Sequence, residues 1–278
     1  MIEAGKFGEY TNKSDSAWNL VERNVFEYAF GRYFKSKFNW LNNKENRTIP
    51  AIMTKFGRLI PDDFRVLDLG TGTGHIPESL IDIGVKPENI VGVDNNFEML
   101  IVENYPSDVH KLCTDVKKFV PTLKKELPGF GNFDLVTANM VFHLLTFGDY
   151  IKTLKQVRKV VTDRAQLYIM LPHPLRDEMD SIADYHRHGV ISEKTPWGEY
   201  INYGTKTIAD YCRGLKEAGF DCWVIGTTGV GLKLEDNLLL HDEAIWSNVQ
   251  YRKKGYSTRP LPHYFRLWLM ASPEKYFV

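Results

Sequence analysis

Val66-Leu67-Asp68-Leu69-Gly70-Thr71-Gly72-Thr73-Gly74 is the stretch on which the fold turns. The apolar run from Phe64 to Leu69 reads as a buried strand, and the glycines that follow read as a turn into a helix opening near His75. Glycines at alternate positions let the backbone bend sharply and approach a ligand closely, which a side chain would prevent. A turn of this kind ahead of a helix presents unpaired N–H groups to a polar or charged ligand. The spacing narrows the choice of ligand. A dinucleotide fingerprint needs G-x-G-x-x-G, and His75 stands where its third glycine would fall. A phosphate-cradling loop needs a lysine after its last glycine, and none follows.

Outward from this turn, strand-like and helix-like segments alternate. Helix His75–Asp82 carries Ile76, Leu80 and Ile81 inward, and strand Asn89–Val93 ends at Asp94. A helix is expected over Asn96–Glu103, a short strand at His110–Cys113 and an amphipathic helix at Val116–Glu126. Strand Phe133–Ala138, helix Tyr150–Val161 and strand Ala165–Leu171 follow, then helix Thr207–Ala218 and strands Phe220–Ile225 and Tyr264–Ala271. Such alternation predicts an α/β fold, a mostly parallel sheet with helices on both faces.

Four stretches stand outside the rhythm. Ser14 to Phe38 predicts an aromatic helix, with Trp18, Val21, Val25 and Tyr28 on one face, and Pro50 to Leu59 a second short one. Pro172 to Tyr203 and Val230 to Pro262 are long excursions, the second with a helix over about Asp242–Arg252; connections of that length are usually functional. The organisation is therefore a helical lid segment at 1–62 and a core at 63–278, with a lid insertion at about 172–205.

Composition bounds the function. The 278 residues carry no formal net charge, so no global field draws the chain to nucleic acid or to an anionic membrane. Lys117-Lys118, Lys124-Lys125 and Arg252-Lys253-Lys254 are short basic clusters and read as solvated faces. Cys113, Cys212 and Cys222 form no C-x-x-C pair, so neither a disulfide framework nor a metal site is expected. Residues 1–30 lack the pattern of a signal peptide, and no run approaches the roughly 18 apolar residues of a membrane span. A soluble, cytoplasmic protein is expected.

The polar residues at the strand ends then form an ordered set. D-L-G-T-G-T-G over Asp68–Gly74 resembles motif I of the class I S-adenosylmethionine-dependent methyltransferases. Asp94-Asn95-Asn96-Phe97-Glu98-Met99-Leu100 resembles that family's D-x-S-x-x-M-L run, with Asn96 in place of serine. An acidic residue about 20 positions beyond a glycine turn suits a grip on ribose hydroxyls, although nicotinamide enzymes use one too. Thr114-Asp115-Val116 is similar to the position whose carboxylate accepts from the adenine amino group. Phe133–Asn139 resembles motif IV, where the backbone near Asn139 would hold the methionine part of the cofactor. The resemblance covers residues 63–171 well and 205–271 in pattern only. It implies a Rossmann-like, seven-stranded sheet with an antiparallel last strand, and S-adenosylmethionine as cofactor with S-adenosylhomocysteine as product. It assigns cofactor contacts to Asp68, Gly70, Thr71, Gly72, Gly74, Asp94, Asn95, Met99, Thr114, Asp115, Val116 and Asn139. Asp68 is expected to orient the turn through backbone hydrogen bonds, and Thr71 and Thr73 stand where they can cap the next helix.

On the acceptor side, Asn139-Met140-Val141-Phe142 departs from the [NDS]-P-P-[YF] signature of enzymes that methylate planar amino groups. With zero net charge, this favours a small-molecule acceptor over nucleic acid or protein. His143 is the first candidate for a general base and His173 the second, because histidine exchanges a proton near neutral pH. His186 and His188 read as surface residues. Residues 184–189, 195–198 and 208–211 are similar to the lid and helix of small-molecule methyltransferases. Tyr28, Tyr33 and Trp197, with His143, would line a pocket for an aromatic or hydrophobic acceptor. Three alternatives remain open: a non-methylating S-adenosylmethionine binder, a nicotinamide-dependent oxidoreductase, and a methyltransferase acting on RNA or protein.

Overall fold

The structure is a computed structural model that describes residues 60–82, 84–172, 189–194, 200–228 and 266–273. Strand β1 (Val66–Leu69) is buried along its whole length, as a strand covered on both faces must be. It lies between β2 (Ile90–Asp94) and β4 (Phe133–Asn139) and runs parallel to both, with Leu69 opposite Val93 and Ala138. Strand β3 (His110–Cys113) extends the parallel sheet beyond β2, and β5 (Val161–Pro172) extends it beyond β4. Strands β6 (Val190–Lys194) and β7 (Tyr200–Gly204) form a separate antiparallel hairpin. The last two strands are β8 (Phe220–Thr228) and β9 (Arg266–Pro273). Strand β9 inserts between β5 and β8, antiparallel to both. The seven-stranded order is β3-β2-β1-β4-β5-β9-β8. The fold class expected from the sequence, with its antiparallel last strand, is the one observed.

Period-two alternation sorts the side chains onto two faces. Leu67, Leu69, Val91, Val93, Val136 and Ala138 join one core cluster. Helices α3 (Phe119–Glu126), α4 (Phe147–Arg158) and α5 (Ile208–Glu217) cover it through Phe119, Leu154 and Leu215. Val66, Ile90 and Leu135 point the other way, toward Ile76 and Leu80 of α1 (His75–Asp82) and Leu100 of α2 (Phe97–Leu100). Fully burying each leucine of β1 is worth about 1.5–3 kcal/mol, which makes this strand the axis of the domain.

Several boundaries differ from expectation, each for a local reason. The helix expected over Asn96–Glu103 is only α2: Asn96 caps it by accepting from the Glu98 N–H, and the Lys111 amine takes the Leu100 carbonyl at 2.9 Å. Helix α3 begins three residues late because Asp115 holds the chain in a turn, accepting from the Lys117 N–H. Helix α4 starts early, where the Thr146 hydroxyl accepts from the Asp149 N–H. The first excursion holds the hairpin β6–β7, whose Val, Ile and Tyr residues suit strands. The helices expected at 14–38, 50–59 and 242–252 lie outside the described residues.

Candidate functional site

The carboxyl ends of β1, β2, β3 and β4 lie at one end of the sheet, and backbone bonds tie the first three together. The Gly70 and Thr71 N–H groups both donate to the Val93 carbonyl, at 2.8 and 3.1 Å, and the Thr114 N–H donates to the Asp94 carbonyl at 2.8 Å. Gly70 sits at φ +68°, and a Cβ there would lie 2.3 Å from Cγ2 of Val141, so no other residue fits. Around Gly72 the opposite holds, for a Cβ there would meet nothing within 4 Å among the described residues. The turn is closed against the protein at its first glycine and open at its second.

Asp94 links the turn to the next loop. Its Oδ2 accepts from the Gly72 N–H at 2.9 Å and its Oδ1 from the Asn96 N–H at 2.9 Å. Burial raises its pKa, while the N–H groups of Asn96, Gly72 and Asn95 pull it back. Each oxygen keeps lone-pair capacity for a further donor, as a grip on two hydroxyls requires. Met99 is buried behind this loop, and Asn95 is exposed on it.

Asp68 behaves differently from expectation. Its carboxylate makes a side-chain contact, accepting from the Thr137 hydroxyl of β4 at 2.6 Å, where backbone bonds were expected. Burial pushes it up to about 7, with the Thr137 and Thr71 hydroxyls lowering it and the Asp94 charge raising it. Oδ2 of Asp68 and Oδ1 of Asn139 are both buried without a hydrogen-bond donor among the described residues. Asn139 shares a face of β4 with Thr137, so two unfilled acceptors flank the glycine turn.

Tyr105 is the residue that sequence reasoning missed. Its hydroxyl lies 3.0 Å from the Thr71 hydroxyl, within hydrogen-bond distance. A Cβ on Gly92 would come within 2.2 Å of the same phenol oxygen, and the Lys111 amine sits 4.5 Å from the ring centroid. Burial raises the phenol well above its ordinary value. The signal was present: a glycine inside a buried strand marks a close approach by something else.

On the β3 side, Asp115 Oδ1 accepts from the Lys117 N–H at 2.8 Å, and its Oδ2 lies 3.2 Å from the Lys117 amine. That amine also reaches Asp149 at 3.9 Å. Asp115 is thus a turn-former and an ion-pair partner, half-exposed beside buried Val116 and half-buried Thr114.

Beyond β4, Met140 adopts a left-handed φ of 55°, a conformation that costs a non-glycine residue on the order of 1 kcal/mol. The kink lets the Met140 N–H bond the Met170 carbonyl at 2.9 Å and delivers Val141 onto Gly70. A 3-10 turn, Phe142–Leu144, follows and buries His143. The foot of the hairpin seats on the next residue, since a Cβ on Gly204 would lie 2.7 Å from the Leu145 carbonyl oxygen. The buried amine of Lys206 donates to the carbonyls of Leu145 and Gly204. His173, Tyr28, Tyr33 and Trp197, with His186 and His188, lie outside the described residues.

Comparison with known proteins places this arrangement. A family model described as a methyltransferase domain matches residues 41–225. No curated protein sequence matches the chain. A Listeria monocytogenes protein assigned as an S-adenosylmethionine dependent methyltransferase shares the fold, at a TM-score of 0.50 and 16% identity over 80% of this chain and 97% of that one. A SAM dependent methyltransferase from Archaeoglobus fulgidus is 18% identical over 84% of this chain and 99% of its own, with a TM-score of 0.48. An S-adenosylmethionine dependent methyltransferase from Mesorhizobium loti is 15% identical over 79% of this chain and 96% of its own, with a TM-score of 0.47.

Proposed function

We propose, since this chain belongs to the class I S-adenosylmethionine-dependent methyltransferases, that it methylates an O, N or C atom of a small aromatic or hydrophobic metabolite. The cofactor is S-adenosylmethionine, which when bound supplies a methyl group made electrophilic by its sulfonium. The residues present suit it: an open glycine, a carboxylate with spare acceptor capacity and two unfilled buried acceptors. In this reading the turn Gly70–Gly74, with Thr71, Asp68 and Asn139, holds the methionine end. Asp94 takes the ribose hydroxyls, and Asn95, Met99, Thr114, Asp115 and Val116 surround the adenine.

The chain's part in the reaction is alignment and exclusion of water, which can lower a barrier by roughly 7–11 kcal/mol. A base is required only where the acceptor arrives protonated. His143 is the residue proposed for that proton, on the strength of its buried place four residues beyond Asn139. His173 is the second candidate, and Tyr28, Tyr33 and Trp197 are proposed walls of the acceptor pocket. The preference for a small molecule is supported by the zero formal charge and by Asn139-Met140-Val141-Phe142 standing in place of a planar-amino signature. A cytoplasmic protein and the division into lid and core remain part of this reading.

The observation that carries the reading is the 2.9 Å hydrogen bond from Gly72 to Asp94, which joins the open turn to the ribose-type carboxylate. The test is incubation with methyl-labelled S-adenosylmethionine and a fractionated metabolite extract. Label is expected in a small molecule. Label confined to nucleic acid or protein overturns the acceptor class, and tight cofactor binding with no transfer to any fraction overturns methylation itself.

A further inference from the structure

Away from the glycine turn, the fold brings two thiols together that are ten residues apart. Cys212 lies within α5 and Cys222 near the start of β8, on either side of Gly219, whose φ of +83° reverses the chain. Their sulfurs are 3.4 Å apart. Both are free thiols, half-buried and packed against the larger core cluster, whereas Cys113 is exposed on β3. A disulfide needs the sulfurs near 2.05 Å, so a closure of roughly 1.4 Å separates contact from bond.

We propose that Cys212 and Cys222 are an oxidisable dithiol, a modification site at which a peroxide converts the pair to an intramolecular disulfide. The Cys212 thiolate attacks one peroxide oxygen and the O–O bond breaks, leaving a sulfenic acid and, after protonation, one water. The Cys222 sulfur then attacks Cys212 Sγ, the S–O bond breaks, and the departing hydroxide leaves as a second water with the Cys222 proton. Two electrons pass from the thiols to the peroxide, and no other reactant is needed. The order of attack follows from the contact. With Cys222 as the donor across this contact, Cys212 is held below the ordinary thiol range, while donating the bond, together with burial, raises Cys222. The thiolate is the nucleophile, so Cys212 reacts first.

The bond would act at one edge of the sheet. Strand β8 is an edge strand and, among the described residues, pairs only with β9. A disulfide would anchor it covalently to α5. Trivalent arsenic offers a second chemistry for the same pair, because it bridges adjacent thiols with loss of one water and no electron transfer.

The test uses the full chain carrying Cys113→Ser, which leaves these two thiols as the only cysteines. After hydrogen peroxide and alkylation under denaturing conditions, neither thiol is expected to be alkylated. The mass should fall by two hydrogens, peptide mapping should join Cys212 to Cys222, and dithiothreitol should reverse the change. Amide exchange in β8 should slow in the oxidised form. Phenylarsine oxide should give a single bridged adduct without any oxidant. Two thiols that stay alkylatable, or that oxidise separately to sulfinic acids, overturn the site. Cys222→Ser should accumulate a dimedone-trapped sulfenic acid on Cys212, at a rate at least about tenfold above that of Cys222 in Cys212→Ser. Equal trapping in both variants overturns the assignment of Cys212 as nucleophile.

Discussion

The two halves of the candidate cleft are built differently. On the side of β1, β2 and β3, strand ends are tied to strands adjacent in the chain: Gly70, Thr71 and Thr114 make backbone bonds to partners 20 to 23 residues away. On the side of β4 and the hairpin, the contacts that join the segments span longer stretches of chain. Gly204 meets Leu145, and Lys206 reaches 61 residues back to the same carbonyl. The first side is built from strand ends and the turns that follow them. The second is assembled from segments that lie far apart in the chain.

Four substitutions test this division. The largest effect is expected at Asp68. Burial lifts its folded pKa from 3.8 to about 7, so the native carboxyl keeps a proton that the unfolded chain has released. Its contribution to stability is full below about pH 3.8 and is lost as pH rises through about 7, a difference of at most about 4 kcal/mol. Asp68→Asn should therefore gain on the wild type as pH rises from about 3.8 to about 7 in cofactor-free denaturant unfolding. Parallel stability curves would show that the cofactor side carries no buried ionisation cost.

Gly70→Ala addresses the seam between the halves. Its Cβ would meet Val141 at 2.3 Å in a left-handed backbone conformation, at a cost of about 3 kcal/mol. Adding Val141→Ala should return the part due to the clash and leave the part due to φ. A thermal midpoint unchanged by Gly70→Ala would mean that the two sides are not packed as described.

Asp94→Ala should weaken S-adenosylmethionine binding by at least about 1–3 kcal/mol, since it removes charged hydrogen bonds and releases Gly72. Unaltered affinity in calorimetry would rule out the ribose assignment. The smallest effect is expected from Lys206→Met, which leaves the Leu145 and Gly204 carbonyls without their donor and costs about 1–2 kcal/mol of stability. Cofactor affinity should stay within about twofold, because the site lies apart from the glycine turn. A large loss of cofactor affinity in this variant would erase the distinction between the halves.

The legibility of the two halves in the sequence follows the same line. Asp68–Gly74, Asp94 and Asp115 were readable because a strand, its turn and the next residue lie within one short window. Tyr105 was not singled out, although Gly92 marked its place. The side-chain bond from Asp68 to Thr137 was hidden for the same reason: it depends on which strand becomes the neighbour of β1. The short α2 and late α3 reflect caps by Asn96 and Asp115 that compete with helical periodicity.

The sequence by itself determined the alternation of strands and helices, the buried axis at Val66–Leu69 and the order of polar residues at the strand ends. These rest on periodicity and on short-range backbone chemistry. Only the tertiary structure decided that Val141 fills the space beside Gly70, that Lys206 clamps the hairpin to the His143 turn, and that Cys212 touches Cys222. Those contacts join distant segments, or a helix to a strand across a turn, and their geometry exists only once the sheet has assembled.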